Sequence, residues 1–168
     1  LNTPVRQIER DAAGVTLHTD RGSERFDHVV LAAHSDQALA MLRQPTATET
    51  EVLGAIRYQP NHAVLHTDTS VLPQRQQAWA AWNYERAADD NKESSRVCLH
   101  YLLNKLQPMP FELPIVESLN PVRPIARHQI LAEFEYSHPV FDMAAIEAQE
   151  RVPELQGEQH TWYCGAWT

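Results

Sequence analysis

Two histidines four positions apart, His62 and His66, carry the spacing of a helical zinc pair, in which both imidazoles share one face. Their surroundings argue for a different backbone. Pro60 precedes them and Ala63-Val64-Leu65 lies between them, a run that reads as strand. On a strand four residues span roughly 13 Å, too far for one ion to join unaided. No H-E-x-x-H occurs, so no metal site is expected and both histidines read as ordinary strand residues. Cys98 and Cys164 stand 66 positions apart, outside any C-x-x-C pair, which excludes a zinc ribbon or a thioredoxin motif. Cys98 sits inside the apolar run Val97-Cys98-Leu99 and reads as a buried thiol. Cys164, beside Gly165, reads as a small packing residue. A catalytic triad is a spatial arrangement that spacing alone does not exclude, but no G-x-S-x-G elbow is present.

The five glycines are Gly14, Gly22, Gly54, Gly157 and Gly165, and the closest pairs are eight apart. Neither a G-x-G-x-x-G turn nor a P-loop can be written with that spacing. The run Trp79-Ala80-Ala81-Trp82-Asn83-Tyr84 carries a different kind of chemistry. On a strand, Trp82 and Tyr84 share one face while Trp79 and Ala81 share the other. Small alanines between large rings leave room for an apolar ligand, so Trp79, Trp82 and Tyr84 are the candidate pocket residues. A core built from tryptophan is the plainer alternative.

The whole chain has 168 residues and a mass of 19.2 kDa, enough for one ordinary core. Its net charge of −8 argues against nucleic acid or an anionic membrane as the main partner. With 43% hydrophobic and 21% charged residues it matches ordinary globular domains, and no run approaches the length of a membrane span. Only two cysteines and no signal peptide lead to the expectation of a cytoplasmic protein. The chain opens on Leu1, and the expectation is a piece of something longer.

The elements that must position these residues follow from patterning. Residues 14–19 alternate as a half-buried strand, Asp20-Arg21-Gly22-Ser23 turns, and the unbroken apolar run at 29–33 predicts a strand covered on both faces. Ser35 is the expected N-cap of a short helix striped by Ala38, Leu39, Met41 and Leu42. Thr48 and Glu51 have capping-box spacing ahead of a second helix carrying Val52, Leu53 and Ile56. Strands are expected at 63–67, 79–84, 96–103, 129–136 and 161–165. A polar loop is expected at 87–95, and breaks across the prolines from 108 to 124. Asp142 caps a last helix that Pro153 ends. The fold class is α+β: a mostly antiparallel sheet with helices, flanked by two segments of another unit.

One order of motifs has a familiar counterpart. Pro4-Val5-Arg6-Gln7-Ile8 is followed by Gly14-Val15-Thr16-Leu17 with Gly22, and then by Phe26-Asp27-His28-Val29-Val30-Leu31-Ala32-Ala33. This resembles the middle of flavin-dependent amine oxidases and phytoene-desaturase-like proteins. The runs at 34–39, 56–61, 78–84 and 137–142 and the final Trp162-Tyr163-Cys164-Gly165-Ala166-Trp167-Thr168 are similar to one bacterial branch, usually called predicted NAD/FAD-binding amine-oxidase-like proteins.

The resemblance implies an internal portion of a flavoenzyme. Residues 1–43 would be part of its FAD-binding α/β domain, 44–156 its substrate-binding domain, and 157–168 the start of a C-terminal FAD-binding segment. FAD is the implied cofactor of the full-length protein, with none expected to stay on this portion alone. Val5 would meet the adenine by its backbone, Gly165 and Ala166 would lie at the turn near the pyrophosphate and ribityl chain, and His34 would lie near the cofactor. No catalytic residue is assigned. The lysine many amine oxidases carry near the end of the first substrate-domain strand is absent from residues 63–68, and Ala166-Trp167 replaces the usual acidic residue. The branch also resembles a domain fused to cyclopropane-fatty-acid synthases, which adds a lipid acyl chain as a candidate substrate. The expected function is hydride transfer from a small apolar or lipid substrate to flavin; a non-enzymatic α+β ligand-binding or assembly domain is the alternative. Exposed edges of the cofactor sheet would favour self-association through residues 1–43 and 157–168.

Overall fold

The computed structural model describes residues 2–86 and 97–168, so the polar loop expected at 87–95 lies outside the described residues. The chain runs through β1 (Val5–Asp11), β2 (Gly14–Thr19), β3 (Gly22–Phe26), β4 (Val29–Leu31), α1 (Ser35–Met41) and α2 (Ala47–Ala55). It continues through β5 (Arg57–His66), β6 (Trp82–Arg86), β7 (Val97–Leu102), α3 (Leu103–Leu106) and β8 (Val116–Leu119). It ends with β9 (Ile130–Val140), α4 (Met143–Arg151) and β10 (Thr161–Tyr163). The class is α+β with mostly antiparallel sheets, as the patterning predicts. Two compact units result, Leu1–Gln59 with Pro139–Thr168, and Pro60–His138.

In the first unit β1, β2 and β3 form an antiparallel meander. Its first turn depends on Gly14: φ is +138°, and a Cβ there would lie 2.4 Å from the Phe26 carbonyl oxygen. β4 pairs in parallel with β10, Val30 opposite Trp162. The strand expected to be covered on both faces is shorter and half open, with Val30 62% exposed. Among the described residues this sheet has only two strands, so one face of the apolar run finds no layer over it. The core gathers Ile8, Val15, Leu31, Leu53, Ile56, Ala145, Leu155 and Trp167, among others. Burying a side chain such as Leu53 stabilises the fold by roughly 1.5–3 kcal/mol.

Two caps differ from expectation. The box that starts α2 is Thr46 with Glu49, not Thr48 with Glu51: Thr46 Oγ1 accepts the Glu49 N–H at 3.1 Å and Glu49 Oε2 accepts the Thr46 N–H at 2.7 Å. Both pairs have the right spacing; Glu49 wins because it also has a buried arginine to meet. Ser35 is the first residue of α1, not its cap, and its buried hydroxyl has no hydrogen-bond partner among the described residues. Asp142 does cap α4, accepting the Ala145 N–H at 2.9 Å. α2 and α4 belong to the first unit because Val52, Leu53, Ala145 and Ala148 complete its core. The compact units therefore divide inside β5 and β9, at positions other than the 43/44 and 156/157 boundaries drawn from the sequence.

The second unit is built on a five-stranded sheet, order β6-β7-β8-β5-β9. β8, between Pro114 and Pro121, falls where the prolines predict only breaks. It pairs with β7 and β5 on its two sides. The inward face packs Val64, Val71, Leu72, Leu102, Val116 and Ile125. Among the described residues no helix is long and apolar enough to cross a membrane.

Candidate functional site

Three of the four residues expected near a cofactor lie together in the first unit, at the carboxyl ends of the parallel pair β4 and β10. After β10 the Cys164 N–H donates to the Leu31 carbonyl at 3.1 Å, and Trp167 Nε1 donates to the Ala33 carbonyl at 2.9 Å. Gly165 fills the space between: a Cβ there would lie 2.7 Å from Trp167 Nε1 and 3.4 Å from the Ala33 oxygen. The chain can make this close return only without a side chain. Ala166 follows, exposed. His34 continues the other strand, its ring stacked on Tyr58 with centroids 4.2 Å apart. The Tyr58 hydroxyl accepts the Ser35 N–H at 2.8 Å, fixing the ring beneath the histidine. Val5 is elsewhere, at the start of β1 and paired with Thr19 in the meander.

A buried ion pair anchors these strands. Arg10 and Glu49 have side chains 3% and 2% exposed and meet by two hydrogen bonds, one of them Nη2 to Oε2 at 2.9 Å. The Tyr163 hydroxyl donates to Glu49 Oε1 at 2.6 Å, tying β10 to α2. Burial alone would raise the Glu49 pKa, but Arg10, Tyr163 and the Thr46 N–H outweigh it and bring it down to about 2. Burial and the neighbouring carboxylate push the Tyr163 hydroxyl well above its ordinary value.

In the second unit the aromatic run divides between core and surface. Trp82 and Tyr84 share the solvent-facing side of the sheet, 61% and 66% exposed, as alternation predicts. Trp82 meets Tyr101 edge to face at 5.3 Å. Both Trp82 and Tyr84 also border an open cleft of about 570 Å³, with Leu72, Asn83, His100 and Arg123 along its walls. Trp79 does not join them. It follows a short 3₁₀ turn, donates Nε1 to the Pro73 carbonyl at 2.8 Å and packs against the apolar core. The tryptophan-core reading therefore describes Trp79, and the ligand-wall reading is left with Trp82 and Tyr84.

Behind this sheet runs a polar chain that no local motif announces. The Asp68 N–H donates to His66 Nδ1 at 3.1 Å, so the neutral His66 ring carries its proton on Nε2. That N–H points to Ser118 Oγ at 2.7 Å, freeing the hydroxyl to donate to His100 Nδ1 at 2.6 Å. His100 Nε2 then donates to Glu85 at 2.9 Å, and Arg123 holds the same carboxylate at 3.0 Å. His66, His100 and Ser118 are fully buried. Burial pushes the His66 pKa down, with Asp68 opposing and His100 reinforcing the shift. The members stand at 66, 85, 100, 118 and 123, spacings that no motif template covers; only strand register aligns them.

His62 lies on β5 beside Glu133 and Glu135. Among the described residues no group of three or more His, Cys, Asp or Glu could hold a metal ion. Cys98 is buried and its thiol is pushed up to about 11 by burial, which suits an inert packing residue. Cys164 is exposed.

Comparison with known proteins adds a family. No curated protein matches the chain. A crystal structure of a CLA-producing fatty acid isomerase from P. acnes matches 98% of this chain and 42% of its own length, at 17% identity and a TM-score of 0.57. A protein from Exiguobacterium sp. 255-15, provisionally named a protoporphyrinogen oxidase, matches over the same shares at 14% identity and a TM-score of 0.51. The chain thus spans 42% of the length of these structures and shares their fold over that part. The family model for flavin containing amine oxidoreductase matches residues 1–98, more than half of the sequence. The chain belongs to the flavin containing amine oxidoreductase family.

Proposed function

We propose that this chain supplies the substrate sheet and part of the flavin-binding unit of an FAD-dependent oxidoreductase that takes a hydride from an apolar substrate, a lipid acyl chain being the favoured class. The observation that carries the reading is the open aromatic side of the five-stranded sheet. Trp82, Tyr84 and Phe134 are each at least half exposed, and Tyr136 is 39% exposed. Large rings held on a rigid sheet gain by covering an apolar ligand, at roughly 25 cal/mol for each Å² removed from water. The fatty acid isomerase of similar fold acts on a substrate of this kind, which supports the class.

His34, Gly165 and Ala166 fit the family's cofactor by position, since α/β folds bind ligands outside the carboxyl ends of parallel strands. Val5 is proposed to meet the adenine by its backbone. When bound, FAD would accept a hydride, the hydrogen together with the bonding electron pair, from a substrate C–H bond. The chain's own part is to hold the His34 ring on Tyr58, keep the Gly165 return tight, and cover the substrate with Trp82 and Tyr84.

The test is anaerobic mixing of the FAD-loaded protein, expressed from its complete reading frame, with long-chain acyl esters and alcohols. Bleaching of oxidised flavin is expected, and Trp82→Ala should weaken ligand binding about tenfold by removing buried ring area. Ligand binding without bleaching would favour the α+β binding-module alternative. No binding to wild type, or equal binding by Trp82→Ala, overturns the reading.

A further inference from the structure

Strand register places two rows of side chains on the open face of the five-stranded sheet. Trp82 stands opposite Tyr101, Tyr101 opposite Glu117, and Glu117 opposite Leu65. The next row holds Tyr84, Leu99 and Leu119 and ends at the buried Ala63. Among these residues Glu117 alone carries a charge. From β9 the Tyr136 hydroxyl reaches across and donates to its carboxylate. That donor is neutral, so the negative charge stays on the face. The surroundings register it: burial, then the bond to Glu117, pushes the Tyr136 hydroxyl up to about 12, and burial with Glu117 also raises Tyr101.

A carboxylate among rings is a filter for the ligand's polar group. A ligand covering this face displaces water, so charges beside Glu117 act through a lower dielectric than bulk water. An anionic head would meet a like charge, whereas an O–H or N–H would find an acceptor. A cation would gain further from the faces of Trp82 and Tyr101. We propose that Glu117 sets the polarity of what this face accepts: a long-chain amphiphile with a neutral or cationic hydrogen-bond-donating group, and not a free fatty-acid anion. The inference rests on the reading of this face as a ligand wall and narrows its substrate class.

The test is calorimetric titration of the protein with decanol, decylamine and decanoate at neutral pH. Wild type should bind decanoate about tenfold more weakly than decanol, the scale of one like-charge contact at a half-exposed site. Glu117→Gln should bring the two within about twofold, and Tyr136→Phe, which keeps the charge, should preserve the gap. Equal binding of decanol and decanoate by wild type, or a gap that survives Glu117→Gln, overturns the role of Glu117 and leaves the ligand wall standing. Binding of none of the three overturns both.

Discussion

The first unit buries an ion pair that joins its elements, while the second buries a hydrogen-bonded run of two imidazole rings and a hydroxyl. Arg10 and Glu49 meet as a doubly hydrogen-bonded pair that joins β1 to α2, with Tyr163 adding β10. His66, Ser118 and His100 pass one hydrogen bond to the next across β5, β8 and β7. Both arrangements satisfy buried groups, and they differ in what acid does to them. Glu49 titrates near 2 when folded against an ordinary 4.5, so its contribution is complete above 4.5 and lost as pH falls towards 2. His66 is lowered from 6.5, so its contribution is complete above 6.5 and begins to fail as soon as pH drops below that value. The pairing of Glu49 therefore tolerates mild acid and the setting of His66 does not.

The largest effect that would break this comparison comes from the ion pair. Glu49→Ala leaves a buried guanidinium unpaired and removes the α2 capping box, and should cost about 3–5 kcal/mol in urea denaturation. A cost under about 1 kcal/mol would mean the pair is not a buried anchor. Next is Ser118→Ala, which orphans the facing nitrogens of His66 and His100 and should cost about 1–3 kcal/mol. Hydrogen exchange should localise that loss to β5, β7 and β8.

The acid response comes third. Between neutral pH and about pH 5, exchange protection in the second unit should fall by up to about 1.4 kcal/mol per pH unit, while that around α2 and β10 holds. His66→Gln should flatten the slope, and equal weakening of both units would erase the contrast. The smallest effect sharpens the capping assignment. Thr46→Ala should lower stability by about 1 kcal/mol and Thr48→Ala by a few tenths at most, read from urea midpoints.

What the sequence made legible was local. The Gly22 turn, the alternating β2, the Asp142 cap and the shared face of Trp82 and Tyr84 each depend on neighbours within a few positions. Where a distant partner decided the outcome, the local signal misled. Thr46 and Thr48 offer equivalent boxes, and Arg10 selects Glu49 from 39 positions away. The apolar run at 29–33 reads as doubly covered, yet coverage depends on layers that the run itself does not encode. β8 has four residues between prolines and becomes a strand because β7 and β5 flank it. Of the candidate site, Gly165 and His34 are proposed through motif resemblance, whereas Glu117 acquires its meaning only from strand register.

The parallel pairing of β4 with β10 has a consequence for how the molecule is made. Trp167 closes on Ala33 across 134 positions, and the whole of the second unit lies within that span. Closing so long a loop is entropically slow compared with forming the β1–β2–β3 meander or a sheet from the continuous stretch 60–138. On a ribosome the meander and the second unit can form while β10 is still unmade, and the first unit is completed last. Until then β4 waits without its parallel neighbour, an apolar edge with Val30 already facing outward. The nascent chain is most open to wrong pairing at that stage, and the synthesis of β10 ends it.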